Sequence, residues 1–252
     1  MSTGGTSIPM RKRVGGRFLR AIWVEATSTT SRAELEDEFH RFGADIVHDG
    51  VAVTAVNGRS IRYPWTTCPG AATPLKQLVG MPLSRAPDAV YRHTNGRFQC
   101  THLFETAALA IAQAKRGPGR RLYEIHVADP DPLARQAVLA CNGEPLLQWT
   151  LENEAIRSDD LFNGMNFRAL GGWAAEHGEH ALAEPALLLR RAGRLAMGRQ
   201  IDVDALPVAA SLGRPAICHS FQPVIASLGK RVPGSVRDFE AKGERPLDDF
   251  PR

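Results

Sequence analysis

Apolar and polar residues alternate along several short segments, a pattern typical of β-strands. Residues 17–26 alternate in part, and residues 51–56 are rich in valine, so both are predicted to be strands. His48-Asp49-Gly50 lies before the second run and predicts a hairpin. Residues 33–47 mix positions that favour helix with positions that favour strand, which leaves their type open. Further strands are predicted at 61–63 after a turn at Asn57-Gly58, and at 122–127, 137–140 and 146–151, the last two joined through Asn142-Gly143.

Helical spacing of apolar residues is clearest at 101–115, where Gly117-Pro118-Gly119 follows and ends the element. Residues 185–197 form a second predicted helix. A shorter helix at 73–79 is ended by Gly80 and Pro82. Strands and helices of these lengths predict an α+β protein, with a β-rich layer packed against a few helices.

The length of 252 residues and a hydrophobic content of 43% suit one large domain. We place this domain at residues 17–229, with two packed halves and a break near 160 as the alternative. Residues 1–16 are rich in Gly, Ser and Thr and predict a flexible tail. Residues 230–252 are charged and rich in Pro and Gly, and predict an extended arm.

The net charge of +4 is spread along the chain, because most arginines alternate with acidic residues. The one dense basic run is Arg11-Lys12-Arg13, and zinc-finger spacings and aromatic–basic RNA motifs are missing, so nucleic acid is not an expected partner. No apolar run approaches the roughly 20 residues of a membrane span. The N-terminus has no apolar signal core, and we therefore expect a cytoplasmic protein that does not bind membranes.

Cofactor motifs are missing as well. The sequence has neither a G-x-G-x-x-G run after a strand nor a Walker phosphate loop. We therefore expect no nicotinamide, flavin or ATP and no other cofactor. The cysteines lie far apart without a C-x-x-C pair, which indicates free thiols rather than a disulfide framework. They are Cys68, Cys100, Cys141 and Cys218.

Three functional side chains, Cys100, Thr101 and His102, stand at the start of the longest predicted helix. Thr101 is a natural N-cap. A helix N-terminus stabilises anions, lowers the pKa of a nearby thiol and favours a neutral imidazole, so this cluster is the strongest candidate for catalysis. The alternative is structural: a small buried cysteine, a capping threonine and a core histidine.

Cys100-Thr101-His102-Leu103, opening an alanine-rich helix, resembles the hallmark of a bacterial family known as a domain of unknown function. The resemblance covers about residues 17–115, so the C-terminal half lies outside it. It implies no reaction. A bacterial catabolic setting, which the resemblance suggests, favours a small-molecule enzyme.

Two further motifs carry polar groups in apolar surroundings. The loop at 64–70 offers Trp65 as a pocket wall and Thr67 and Cys68 as ligand contacts; the alternative is a core tryptophan beside a simple turn. In residues 217–223, His219 and Gln222 either line a site or find partners in a core.

His40 stands near Asp37, and a histidine–carboxylate pair is a typical acid/base unit. Tyr63 could donate a proton to a phenolic or carbonyl oxygen, and Phe98 and Phe104 could supply apolar walls. His177 and His180 resemble metal ligands, but Gly178 between them indicates a solvated turn. Zinc would require Cys68, Cys100, His102 and Cys218 or His219 to converge, which their spacing does not support, so no metal is expected.

Taken together, these residues predict a cofactor-independent acid/base enzyme, a carbon–carbon or carbon–oxygen lyase for a small aromatic catabolic intermediate with a phenol or carboxylate. In the mechanism that we expect, a helix end and hydroxyl groups stabilise a phenolate while His102 or His40 moves a proton, as in loss of formaldehyde. Two alternatives remain: a non-catalytic ligand-binding or oligomerising protein, and a thiol-dependent hydrolase of acyl thioesters. The sequence also leaves a homo-oligomer open.

Overall fold

Eight antiparallel strands form one sheet in the order β4-β3-β2-β1-β5-β6-β7-β8. The structure is a computed structural model and describes residues 8–11, 15–130, 134–152 and 154–251. The strands are β1 (Arg17–Ala26), β2 (Thr30–Asp37), β3 (Arg41–His48), β4 (Val53–Arg62), β5 (Gly119–Ala128), β6 (Ala134–Cys141), β7 (Glu144–Glu152) and β8 (Ala155–Arg157).

Helices complete the α+β fold that the sequence predicts. Within the described residues, none of them has both the length and the apolar character to cross a bilayer. They are α1 (Ala72–Leu75), α2 (Ala89–His93), α3 (Thr101–Arg116), α4 (Leu170–Glu176), α5 (Ala183–Ala196), α6 (Pro223–Ala226) and α7 (Phe239–Lys242). Short 3₁₀ turns extend α1 through Leu78 and α5 through Gln200.

The two faces of the sheet are covered differently. Phe18, Ile22 and Val24 on β1 belong to the main core, in which α3 packs on β1–β3 and α5 packs on β5–β7. Because successive strand residues point to opposite faces, Ala21 and Trp23 lie on the other side, where the C-terminal segment covers them. The helix-covered face therefore holds most of the core.

A charged pair interrupts the apolar face beneath α3. Arg20 continues the β1 series of core residues, and Asp37 continues the β2 series of Ala33 and Leu35. The antiparallel register places Arg20 directly opposite Asp37, and both side chains are fully buried. The sheet thus carries two charges into the core at the position where the candidate site lies.

Most predicted elements are confirmed, and the undecided segment is now assigned. Residues 33–47 belong to two strands, β2 and β3, joined through residues 38–40. The hairpin after His48 is confirmed by the pairing of β3 with β4. So is the hairpin at Asn142-Gly143, where positive φ angles of 52° and 84° allow the tight turn of a two-residue hairpin.

The predicted turn at Asn57-Gly58 is wrong. Both residues lie inside β4 and pair with β3. A Cβ atom on Gly58 would come within 2.9 Å of the Leu75 and Leu103 side chains. Gly58 therefore lacks a side chain because the helices pack closely against the strand at this point. It does not mark a turn.

The terminal segments of the described chain contact the domain. Met10 forms a β-bridge with Ile201, and Arg11 forms an ion pair with Asp202; most of the predicted tail, residues 1–7 and 12–14, lies outside the described residues. The predicted C-terminal arm packs Phe239 and Leu247 into buried positions. Phe250 stacks obliquely on Trp23, with ring centroids 5.2 Å apart.

Candidate active site

A cavity of about 190 Å³ lies between the start of α3, the end of α5 and the segment 201–221 that follows α5. Its walls are mainly apolar and aromatic. Four of the predicted catalytic residues and two of the predicted binding residues line it. They are His40, Cys100, Thr101 and His102, with Trp65 and Cys68.

Asp37 and His40 form a hydrogen-bonded acid/base pair at the cavity. His40 Nδ1 donates to Asp37 Oδ1 over 3.0 Å, and the backbone N–H groups of Phe39 and His40 donate to the same oxygen over 2.9 Å. The turn after β2 therefore fixes the carboxylate, and the carboxylate fixes the orientation of the imidazole. The His40 side chain is 12% exposed, and Nε2 is the nitrogen left to the cavity.

His102 stacks face to face on His40. The ring centroids are 3.7 Å apart and the planes differ by 21°. The His102 ring is buried, and its Nε2 atom has no hydrogen-bond partner in the part of the chain that the structure describes. Burial and then the neighbouring His40 charge hold the pKa of His102 well below its usual range. The lowered pKa favours the neutral form of His102, and its first cause is burial, where the sequence analysis argued from the helix end.

Asp37 is charged because its neighbours outweigh its burial. Burial alone would raise the pKa of Asp37, but the charge and hydrogen bond of His40, followed by Arg20, hold this pKa well below the usual range. Arg20 NH1 lies 3.7 Å from Asp37 Oδ2. The Arg20 guanidinium also binds Glu105 on α3, which pairs with Arg191 on α5 at 3.1 Å. A line of buried charges thus runs from the helices to the carboxylate.

The residue that caps α3 differs from the prediction, which gave Thr101 as the N-cap. The N-cap is Cys100, its side chain makes no capping hydrogen bond, and Thr101 is the first helical residue. Thr101 Oγ1 instead lies 3.4 Å from His102 Nδ1. The register of the helix thus turns the hydroxyl toward the imidazole and away from the first-turn amides.

The thiols beside the cavity are poor nucleophiles. Burial raises the pKa of Cys100, against the expectation that the helix end would lower it; the backbone amides of Leu103 and His102 offset only part of the effect. Burial also raises the pKa of Cys68, and raises that of Cys218 to about 11. Since the thiolate is the reactive form, these cysteines favour a structural role in the wall.

Among the described residues, Asp37, His40 and His102 form a group whose donor atoms lie within 4.8 Å of one another. Two imidazoles and a carboxylate are common metal ligands. However, imidazole lone pairs lie in the ring planes, and the planes of the stacked rings are nearly parallel. One ring would have to rotate to share an ion, so the present geometry favours proton transfer over coordination.

The structure places the other predicted residues outside the cavity lining. Tyr63 packs against the main core, and Phe104 is buried with its ring edge toward Tyr91. Phe98 is 53% exposed. Two of the remaining three hold loops together: His219 N–H donates to the Gln99 carbonyl, and Gln222 Nε2 donates to the Arg97 carbonyl. Thr67 Oγ1 is buried close beside Gly229, without a hydrogen-bond partner among the described residues.

Sequence reasoning missed Arg20, which lies behind the cavity, and several residues that line it. The sequence held a signal for Arg20, since this charged residue stands at a position of the first strand where the alternation predicts an apolar one. Arg194 and Arg214 had none, because they come from a helix end and a loop far along the chain. Phe39, Phe42 and Phe221 also line the cavity.

The comparison with protein families bears on the segment that carries the histidines. Residues 23–115 match the family described as "Protein of unknown function (DUF2889)". The matched segment includes Asp37, His40, Cys68, Cys100 and His102. It ends before α5 and the segment 201–221. The comparison with curated proteins finds no match.

Proposed function

We propose that this protein is a cofactor-independent acid/base enzyme, a carbon–carbon or carbon–oxygen lyase for a small aromatic compound with a phenol or carboxylate. One observation carries the proposal. His40, held by a charged Asp37 and stacked on a neutral His102, faces an apolar cavity.

The Asp37–His40 pair has the features of a general base. A carboxylate that accepts from Nδ1 leaves Nε2 free to take a proton, and it stabilises the imidazolium that results. The interaction with His40 and, after it, the charge of Arg20 lower the pKa of Asp37 and favour the ionised carboxylate. The neutral His102 and the Thr101 hydroxyl lie beside this pair and can hydrogen-bond to an oxygen that becomes negative.

The cavity favours an aromatic ligand. Phe42, Trp65 and Phe221 are among its walls, and its volume is about 190 Å³. An apolar cavity of about 150 Å³ suffices to bind benzene. One substituted ring therefore suits the space, and a nucleotide does not.

In the reaction that we propose, His40 Nε2 removes the proton of a hydroxymethyl group on the substrate. The carbon–carbon bond next to this group breaks and formaldehyde leaves. The ring accepts the electron pair as a quinone methide, which forms when the phenol first loses water from a hydroxyl group on its benzylic carbon. The hydroxymethyl group stands on the next carbon, so the pair of the broken bond forms a double bond between these two carbons and the ring becomes a phenolate. The imidazolium then returns its proton, so that no oxidant or reductant is needed.

The test is incubation of the protein with hydroxymethyl-bearing phenolic compounds, with formaldehyde and aromatic products measured by derivatisation and mass spectrometry. We expect formaldehyde release from the wild type and from His93→Ala, a control in which an exposed histidine is lost. His40→Ala should abolish it. Ligands recovered unchanged would favour the binding-protein alternative, and hydrolysis of acyl thioesters that requires Cys100 would favour the hydrolase.

A further inference from the structure

Two arginines line the cavity away from the histidines. Arg194 lies in the last turn of α5, and Arg214 lies in the segment that follows. Both side chains are exposed. We call them the cationic rim.

The cationic rim is unpaired, which sets it apart from the other arginines nearby. Neither the Arg194 nor the Arg214 guanidinium group forms a hydrogen bond or ion pair with another residue that the structure describes. By contrast, Arg191 pairs with Glu105, and Arg231 pairs with Asp204 at 2.7 Å. These other guanidinium groups have their counter-ions within the fold.

Acidic groups are missing from the lining itself. Among the described residues that line the cavity, none is an aspartate or a glutamate. Asp37 stands behind His40, to which it is hydrogen-bonded, and it pairs with Arg20. The cavity therefore presents two guanidinium groups without a protein counter-ion beside apolar walls, an arrangement that favours an anionic ligand.

Resting on the proposed function, we infer that Arg194 and Arg214 bind the carboxylate of an aromatic acid. A guanidinium group matches a carboxylate through two parallel N–H···O bonds. The carboxylate then stays at the mouth of the cavity, and the ring lies against Trp65 and Phe221. The helix start at Cys100 is not needed as the anion site.

The test is calorimetry at fixed low salt with 3-(4-hydroxyphenyl)propanoate, its primary amide and phenyl phosphate. The acid should bind the wild type about 10-fold more tightly than the amide, because a charge-assisted hydrogen bond is lost with the charge. In Arg194→Gln/Arg214→Gln this preference should fall below about 2-fold. Arg85→Gln removes an exposed arginine outside the cavity and should keep the preference.

Each other outcome overturns a defined claim. Equal affinity of the wild type for acid and amide removes the cationic rim as an anion site and leaves the proposed lyase standing. If the preference for the acid persists in the double variant, the cationic rim is likewise not the anion site, and the proposed lyase still stands. If phenyl phosphate binds more tightly than the acid, the anionic group of the ligand is a phosphate ester and not a carboxylate. If no probe binds, both the aromatic ligand and the proposed function are wrong.

Discussion

Asp37 and Glu38 are neighbours in the chain and both are buried, yet they lie in different kinds of charged cluster. Glu38 binds Arg199, which also binds Asp129 through Nε over 2.8 Å. These three side chains, at most 2% exposed, form what we call the closed cluster. Asp37 instead binds a histidine at the cavity, and its Oδ2 atom has no hydrogen-bond partner within the described chain.

The surroundings of the two carboxylates indicate a structural role for Glu38 and a role in the proposed chemistry for Asp37. In the closed cluster each carboxylate has a guanidinium partner, and no member lines the cavity. Such a cluster ties the end of β2 to β5 and to the turn after α5. Asp37 is hydrogen-bonded to an imidazole that can gain and lose a proton and that lines the cavity. Five substitutions, two of them with a matched control, test the roles of the closed cluster and of the residues around the cavity.

Arg199→Met should have the largest effect. It removes the guanidinium group that Glu38 and Asp129 share in the core, and the free energy of unfolding should fall by about 3–5 kcal/mol. Urea denaturation measures the change. Arg168→Met is the matched control, because Arg168 is 70% exposed and its loss should change stability little. Equal effects of the two substitutions would show that the closed cluster is not structural.

His40→Ala should lower turnover by about 100-fold or more, because the general base is lost. Its effect on stability should be smaller than that of Arg199→Met, because Arg20 and two backbone N–H groups remain beside Asp37 when the imidazole is lost. Steady-state kinetics and urea denaturation of the same preparation separate the two effects. A variant that unfolds while the residual folded fraction stays fully active would assign His40 to the core.

Asp37→Asn should lower turnover by about 10-fold or more while the ring of His40 stays in place, because the imidazolium loses its stabilising charge. Glu38→Gln is the comparison, since it alters the closed cluster and not the cavity. Single-turnover rates of both variants show whether only the loss of the Asp37 charge slows the reaction. Rates lowered equally in the two variants would remove the distinction between the neighbouring carboxylates.

The neutral state of His102 predicts a pH dependence of stability. An imidazole in the unfolded chain takes up a proton below about pH 6.5, whereas folded His102 does not because its pKa is lowered. As pH falls from about 6.5 to about 4.5, the free energy of unfolding should therefore fall by up to about 1.4 kcal/mol per pH unit from this residue.

His102→Gln should lose this contribution, which urea denaturation across the same pH range measures. Burial also lowers the pKa of His126 and His219, but these contributions persist in both proteins. Asp37 adds its own loss of stability only near and below its ordinary pKa of about 3.9. An unchanged slope in the variant would mean that His102 is protonated in the folded state.

Thr101→Val should have the smallest effect. The threonine makes no capping hydrogen bond, so we expect a change in stability below about 0.5 kcal/mol, in place of the cap loss of about 0.5–2 kcal/mol that the sequence suggested. Thermal unfolding provides the measurement. A loss near the upper value would restore Thr101 as the cap.

The sequence predicted local elements well because strand alternation and helical spacing are local signals. It also placed Cys100, Thr101 and His102 at a helix start, where the structure has them. Gly58 was misread, because a glycine required by close packing looks the same in sequence as a glycine required by a turn.

The assembly of the site depended on distant parts of the chain. Stacking of His40 on His102 follows from α3 lying over β2 and β3, and no spacing in the sequence encodes it. The pKa of Cys100 likewise depends on burial by segments far along the chain, which outweighs the helix end. Arg194 and Arg214 reach the cavity only because α5 packs beside the sheet.

About half of the residues that line the cavity lie outside the matched family segment, 23–115. Asp37, His40 and His102 fall inside it, and Arg194 and Arg214 fall outside. A protein with only this segment would carry the groups that we propose for proton transfer and would need other residues to bind a ligand. Under this proposal, substitutions in the C-terminal half could change the ligand while the proposed proton-transfer groups stay the same.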